Sequence, residues 1–452
     1  MRSVVLSVAA CWLALLSLVM AAGAAGVPQD SWAVKALGAE YGEVAEGGPG
    51  VHDYVAADFA HWNVTGFTLP MINRAASIGM RTYRLQIIDG KIYSKDRGDR
   101  FVHYTQRGPS RIWYWLWGLL ELLEHPQYGK QVPNVDIVMN TQDDPQMPKR
   151  KKVPKDPARR RRMGPDYVPG DFANAPPPIF SPAQQGETSY DIPWPLWTLW
   201  GEDVPGAGPK TGGFADPPWT KLFPSLMQTA HGAPFDKRRS RKAFWRGSAK
   251  TSPVRRALIS CPQRRFIDAQ TVEHKLHLGK PTSAVGRAQH RYVVYMDGKT
   301  FSGGLLPMIP TGALILMSST VFRTVYSRPF YDRGAFLKVA HTHHKPTMCG
   351  NVSESVSWAE KNPQEAERIA ARNLVWANTH LTFAEFQKYM LNYLKEWHRH
   401  QRFDVALVKK GSNNFVEYKS HPGYEKRQRV GQFKLGKALT WSVVKRNVKR
   451  KA

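Results

Sequence analysis

The 452-residue chain is poor in cysteine, with three, and in acidic residues, with 36 against 64 lysines and arginines. No Cys/His spacing typical of a zinc site is present, and no motif offers a divalent cation a convincing set of carboxylate ligands. We therefore expect no bound metal. The sequence also lacks internal repeats at a fixed period, which excludes repeat architectures.

Long apolar runs are equally scarce, because only residues 4 to about 20 form one. A basic residue precedes this run and a cluster of small residues follows it, which is typical of a secretory signal peptide. We interpret residues 1–25 as a signal peptide, with a signal anchor as the alternative, since about 17 residues can just cross a bilayer. The expected location is the lumen of the endoplasmic reticulum or Golgi, with secretion possible.

Two features of the sequence agree with passage through the secretory pathway. The sequence contains glycosylation sequons at Asn63 and Asn351. Of the three cysteines, Cys11 lies in the apolar run, and Cys261 and Cys349 remain. In an oxidising lumen these two can pair, and two buried free thiols are the alternative.

The net charge of +28 is concentrated in residues 149–162, residues 237–242 and the segment from residue 445 onward. Runs of this kind are usually solvated loops and tails. They also suit an anionic glycan, a membrane surface or phosphate. Because a signal peptide directs the chain away from the nucleus, we expect no nucleic-acid partner.

The composition along the chain predicts two α/β domains. A β-hairpin is expected between residues 75 and 95, with its turn at Asp89-Gly90. The predicted organisation is a signal segment at 1–25, a mobile stem or lead-in at 26–60, an N-terminal α/β domain at 61–235 with a basic insertion at 148–174, a C-terminal α/β domain at 236–400, and a basic tail at 401–452.

A pair of carboxylates follows the strand predicted over residues 135–140, because Asp143 and Asp144 come directly before Pro145. In open α/β sheets, ligands collect at the carboxyl ends of strands. A carboxylate there can serve as a general base. The alternative is a turn that caps a helix, the commoner fate of aspartate before proline.

A second polar group follows the apolar run that ends at Trp245. Arg246 and Arg255 offer rigid forks of donors that fit phosphate oxygens. Gly247 allows a close approach of the backbone, and Ser248 adds a hydroxyl. This set suits a diphosphate that no metal neutralises. The alternative is an ordinary basic loop after a strand.

Taken in order, these segments resemble the protein O-glucosyltransferase and capsule-associated family, glycosyltransferase family 90. The matching pieces, spread over residues 75 to 395, are 83–90, 140–146, 178–181, 191–195, 197–200, 244–248 and 292–302. The resemblance implies an α/β GT-B-like fold, with two Rossmann-like domains facing a cleft. It makes the domain at 61–235 the acceptor-side domain and the domain at 236–400 the nucleotide-sugar-binding domain. It also implies a nucleotide-sugar donor, no cofactor or metal, and inversion at the anomeric carbon.

The resemblance assigns roles residue by residue. Asp143 matches the catalytic base, and Asp191 and Trp194 fall in the segment for the donor sugar and acceptor. The donor-binding positions are Arg246, Gly247, Ser248, Arg255, Asp297, Gly298 and Ser302.

Two positions depart from the family pattern: Gln142 replaces a common arginine, and Gly304 stands where the family usually has an arginine. The function implied is inverting transfer of glucose or xylose from a UDP-sugar to a hydroxyl of a protein or glycan. The alternative is a weak or inactive family member that binds anionic glycans.

Overall fold

The computed structural model describes residues 28–78, 82–94, 111–147, 176–201, 217–262, 265–272 and 282–406, except residues 29, 47–49, 239, 319 and 334. The signal segment at 1–25, the basic insertion at 148–174 and most of the basic tail lie outside these residues. Within the described part of the chain, no helix is long and apolar enough to cross a membrane.

The first half of the chain builds a five-stranded sheet and the helices around it. Its helices are α1 (Trp32–Leu37), α2 (Tyr41–Glu46), α3 (Val55–Phe59), α4 (Leu69–Ser77) and α5 (Arg111–Glu124). Its strands are β1 (Thr82–Ile88), β2 (Lys91–Ser94), β3 (Val135–Asn140), β4 (Phe180–Ser181) and β5 (Ile192–Pro193). The strand order is β2-β1-β3-β4-β5.

The predicted hairpin is confirmed, and its turn uses positive φ angles of 50° at Asp89 and 70° at Gly90. The sheet differs from a Rossmann-like sheet, because β1 runs antiparallel to both β2 and β3. Only β3, β4 and β5 are parallel to one another. The two-residue hairpin turn accounts for the antiparallel pairing of β1 with β2, since a parallel neighbour needs a long crossover.

The second half builds a fully parallel sheet. Its strands are β6 (Ser240–Gly247), β7 (Ile267–Thr271), β8 (His290–Tyr295), β9 (Leu314–Ser318) and β10 (Leu337–Val339). Its helices are α6 (Trp219–Gly232), α7 (Pro253–Ile259), α8 (Ala284–Arg287), α9 (Leu305–Met308), α10 (Ser327–Arg333), α11 (Lys345–Lys361), α12 (Pro363–His380) and α13 (Phe383–His400).

The order of this second sheet, β10-β9-β8-β6-β7, determines where a ligand can bind. Counted along the chain, it is the 2-1-3-4-5 order of doubly wound sheets, whose direction reverses between the first and third strands. Here those strands are β6 and β8, which pair in parallel. The crevice expected at this reversal therefore lies beyond Gly247 and Tyr295.

The expected mobile stem is instead helical and packed. Trp32 is buried and its indole N–H donates to the carbonyl of Ala230 at 2.8 Å. Glu40 is paired with Arg368 and Arg372 on α12. Isolated short helices are marginal in water, so this segment takes its order from packing against the second half. The sequence signal was weak because each helix is only five or six residues long.

The last helix, α13, belongs by sequence to the second predicted domain, which was expected to begin at residue 236, but it packs on the sheet of the first. The indole N–H of Trp397 on α13 donates to the carbonyl of Asp136 on β3 at 3.0 Å, and the Tyr389 hydroxyl donates to the carbonyl of Pro193 at 2.9 Å. The N-terminal helices thus pack on the second half and α13 packs on the first. The two halves are not separate segments of sequence.

A disulfide joins Cys261, just after α7, to Cys349 in α11. The Cα atoms lie 5.5 Å apart and the cysteines are 88 residues apart in sequence. It ties two helices that flank the parallel sheet.

Candidate active site

The crevice beyond β6 and β8 is organised by Arg255, which lies on α7. Its Nε donates to the carbonyl of Asp297 at 2.9 Å and its Nη2 to that of Met296 at 2.9 Å. Its Nη1 donates to the carbonyl of Ser248 at 3.2 Å and to Thr251 Oγ1 at 2.9 Å. The guanidinium therefore joins the ends of both strands at the point where the sheet reverses.

Arg255 also retains capacity for a ligand. Four hydrogen bonds leave at least one of its five N–H groups without an acceptor among the described residues. No described carboxylate forms an ion pair with it, and the burial of the guanidinium lowers its pKa below the usual range of arginine. A buried, unpaired arginine attracts an anion such as a phosphate.

Two glycines keep this crevice open. A Cβ on Gly247 would lie 2.9 Å from the Trp245 ring, closer than real contacts allow. A Cβ on Gly298 would lie 3.3 Å from Thr251 Oγ1 and 3.5 Å from Arg255 Nη2. The missing side chain at Gly298 thus leaves open the space next to the guanidinium, where a ligand oxygen can approach.

The loop after β8 is held by buried hydroxyls. The Tyr295 hydroxyl donates to Asp297 Oδ1 at 2.8 Å and accepts from the backbone N–H of Ser302 at 3.2 Å, and Thr320 donates to Asp297 Oδ2. Burial raises the pKa of Asp297 above 3.8. Asp297, only 5% exposed, shapes the loop rather than offering a free carboxylate.

The structure does not bring Arg246 to this group, contrary to our expectation. Its guanidinium forms a 2.8 Å ion pair with Asp268, donates to the carbonyls of Asp268 and Trp245, and lies 4.3 Å from the Phe244 ring. Alternate residues of a strand point to opposite faces, so Arg246 lies on the face opposite Trp245 and Arg255. Arg246 is therefore reassigned to packing between β6 and β7.

Asp143 lies in the turn after β3, as expected, and is 48% exposed. Arg111 at the start of α5 binds this carboxylate through both terminal nitrogens, with Nη1 at 2.7 Å from Oδ1 and Nη2 at 3.2 Å from Oδ2. The same guanidinium lies 3.8 Å from the Trp197 ring centre. Arg111 thus fixes the orientation of this carboxylate between a helix and an aromatic surface.

Asp144 connects this turn to the donor-side loop. Its Oδ2 lies 3.8 Å from the Nζ of Lys299, the residue after Gly298. Nearby, a Cβ on Gly303 would lie 3.6 Å from Leu196, which follows β5. The carboxylate turn of the first sheet and the loop after β8 therefore lie next to each other.

Asp191 and Trp194, expected on the sugar side, are part of the core. Asp191 is 1% exposed, and its oxygens accept from the backbone N–H groups of Gln146 and Met147, both at 2.8 Å, and from Ser181 at 2.5 Å. Trp194 is fully buried, with its ring 4.5 Å from that of Phe180. Asp191 positions the chain after the Asp143-Asp144 turn instead of binding sugar hydroxyls.

A cavity of about 410 Å³ opens at the carboxyl ends of β9 and β10. Its wall includes Ser318, Thr320, Tyr331, Phe336, His341 and Asn351. Since Thr320 also donates to Asp297, this cavity adjoins the crevice that Arg255 lines. It combines aromatic faces with hydroxyl, imidazole and amide groups, which suits a flat polar ligand.

Comparison with known proteins agrees with this architecture. The family model described as Glycosyl transferase family 90 matches residues 44–429. The chain belongs to this family. The resemblance noted from the sequence motifs is thereby confirmed.

Among curated proteins, the chain is similar to Protein O-glucosyltransferase 1 of Homo sapiens, with 25% identity over 301 residues, and of Mus musculus, with 26% identity over 295 residues. Each match covers 62% of this chain and 66% of the relative. The chain thus matches slightly under two thirds of the length of these relatives.

Three residues close to the Asp143-Asp144 turn or the loop after β8 were not singled out by sequence reasoning: Arg111, Lys299 and Arg287. Lys299 follows Asp297-Gly298 directly, and that adjacency was a usable signal. Arg111 could not be recognised because its partner is 32 positions away. Among the described residues, no three His, Cys, Asp or Glu side chains converge as ligands for a metal ion.

The two sequons occupy different environments. Asn63 lies in an exposed turn beside Val64, which is 92% exposed. Asn351 lies within α11, its Oδ1 accepts from the N–H of Ala340 at 3.2 Å, and Ser353 is buried. Only the first presents an accessible asparagine on irregular backbone.

Proposed function

We propose that the protein is an inverting glycosyltransferase that moves glucose from UDP-glucose to a hydroxyl group of a protein. The observation that carries this proposal is the position of Arg255 at the reversal point of the parallel sheet, where the loop after β8 lies next to the Asp143-Asp144 turn. The family and its O-glucosyltransferase relatives support the same reaction class. UDP-xylose is the second donor to be tested.

The donor is oriented by three groups in this account. Its diphosphate lies against Arg255 and the open backbone at Gly298, where charge-assisted hydrogen bonds stabilise the leaving group. Its uridine enters the adjoining cavity, against Phe336 and near Asn351. The sugar then projects from the diphosphate toward the carboxylate turn.

In the reaction, the acceptor oxygen forms a bond to the anomeric carbon from the face opposite the diphosphate. The bond between that carbon and the phosphate oxygen breaks, its electron pair leaves with UDP, and the configuration inverts. The hydroxyl proton passes to the Asp143 carboxylate, our proposed general base. Arg111 orients this carboxylate through their ion pair before the proton is transferred.

The test is a turnover assay that measures UDP released from UDP-glucose and UDP-xylose, with and without EDTA. We expect turnover of UDP-glucose that survives EDTA. Asp143→Asn should lower it by about 10²–10⁴-fold, the usual worth of a general base, while UDP still binds.

Asp144→Asn is the matched control, since it removes a carboxylate from the same turn and should retain most turnover. Loss with Asp144→Asn alone would move the base by one residue. Absence of turnover with every UDP-sugar, or a strict requirement for an added divalent cation, would contradict the proposal.

A further inference from the structure

Arg287 lies at the end of α8, far in sequence from Arg255 but close to the same loop. Its Nη1 is 3.5 Å from the point where a Cβ would stand on Gly304. The hydroxyl oxygen of Ser302 is also 3.5 Å from that point. The half-buried guanidinium therefore lies over the glycine pair at the end of the loop after β8.

The loop thus has an arginine at each end, and a glycine lies beneath each guanidinium. Arg255 approaches Gly298 at the start, with its Nη2 3.5 Å from the Cβ position, and Arg287 approaches Gly304 at the end. The Tyr295 hydroxyl, which contacts both Asp297 and Ser302, holds the two ends together. A side chain at either glycine would occupy the space that lies next to the cation.

The carboxylate of the loop itself is occupied by neighbouring hydroxyls. Both oxygens of Asp297 accept hydrogen bonds from the hydroxyls of Tyr295 and Thr320. The backbone carbonyl of Asp297, not its carboxylate, receives Arg255. Positive charge on both sides of a glycine-bearing loop suits a ligand with two adjacent anionic groups, and a diphosphate has that form.

We propose that Arg287 is a second cationic contact for the diphosphate of the donor. This inference rests on the proposed function. Arg287 then supplies from α8 a charge that Gly304 cannot supply from its own position. Arg323 and Arg328 are directed elsewhere, because the charges of both act on Asp58, which Arg328 contacts at 2.7 Å.

The test compares calorimetric affinities for uridine diphosphate and uridine monophosphate. Arg287→Ala should weaken binding of the diphosphate by roughly tenfold to a hundredfold and change binding of the monophosphate much less, because it removes a charge-assisted hydrogen bond to the second phosphate. Arg287→Lys should recover part of the loss. Arg256→Ala is the matched control, since Arg256 is an exposed arginine on α7.

Thermal unfolding of each variant establishes that it is folded, and Arg287→Gln replaces Arg287→Ala if the latter does not fold. If wild-type protein binds uridine diphosphate but Arg287→Ala and Arg287→Gln bind it equally well, this inference is wrong and the proposed function stands. If the wild-type protein does not bind uridine diphosphate at all, the proposed function itself fails. An equal loss for both nucleotides would also overturn the assignment, since it indicates a structural role.

Discussion

Replacing Arg255 with lysine should weaken the binding of uridine diphosphate by roughly tenfold to a hundredfold. The guanidinium donates to four acceptors at the ends of β6 and β8. A lysine ammonium has three donors on one atom, so at least one of these acceptors loses its partner. The diphosphate loses a charge-assisted hydrogen bond worth about 1.5–3 kcal/mol, and each 1.4 kcal/mol is about tenfold in Kd.

The same substitution should lower the free energy of unfolding by about 1–3 kcal/mol, the cost of one unsatisfied buried acceptor. Isothermal titration calorimetry at low salt measures the affinity, and urea unfolding measures the stability. Arg246→Lys is the matched control, because it keeps the charge and alters the pairing with Asp268 on the other face of β6. Its Kd for uridine diphosphate should stay within roughly twofold of wild type, since distant sites act independently.

The reverse pattern would refute this reasoning. If Arg246→Lys weakened nucleotide binding tenfold while Arg255→Lys left it unchanged, the donor site would lie on the Phe244 face of β6. The reversal point of the sheet would then have no ligand.

Two further predictions concern modification and pH. On expression in a eukaryotic secretory pathway, Asn63→Gln should remove an N-linked glycan detectable by mass spectrometry and Asn351→Gln should not. A glycan found at Asn351 would contradict the position of this amide within α11, where it is bonded to Ala340. Burial raises the pKa of Asp58 from 3.8 to about 6, although its interactions with Tyr393 and Arg328 act to lower it. Since the folded protein then holds this proton more tightly, the contribution of Asp58 to stability falls as pH rises from about 4 through about 6. Urea unfolding across that range should show this decline in the wild type but not in Asp58→Asn; identical slopes would contradict it.

Local sequence patterns predicted much of the second half of the chain. The apolar runs at β6, β8 and β9 are typical of buried strands, and Asn362 followed by Pro363 is a helix-start signal at the residue where α12 begins. Thr382 followed by Glu385 is a capping-box pattern, and the Thr382 side chain accepts from the N–H of Glu385 at 3.2 Å. These signals depend on neighbouring residues, so they survive without knowledge of the tertiary structure.

Other features depended on contacts that local patterns do not encode. Arg246 looks like a phosphate ligand until its partner Asp268, 22 positions away, is brought alongside by strand pairing. Asp191 looks like a sugar ligand until it is seen to bond the chain after β3. Arg246 and Asp191 are both engaged by partners distant in sequence and have structural roles, whereas Arg255 keeps an N–H group available to the crevice.

The order in the N-terminal segment was missed for the same reason. Its helices are short and glycines are scattered through the segment, so local propensity predicted a mobile stem. Trp32 and Glu40 find their partners on α6 and α12, about 200 and 330 positions later. Order in this segment thus comes from tertiary packing on the second half.

A crystal structure with bound uridine diphosphate tests the central claim most directly. The account predicts that the diphosphate lies beyond the ends of β6 and β8, in contact with Arg255 and the backbone at Gly298, with the uracil in the cavity beside Phe336. A nucleotide bound away from this crevice, or a diphosphate held by Arg246, would contradict it.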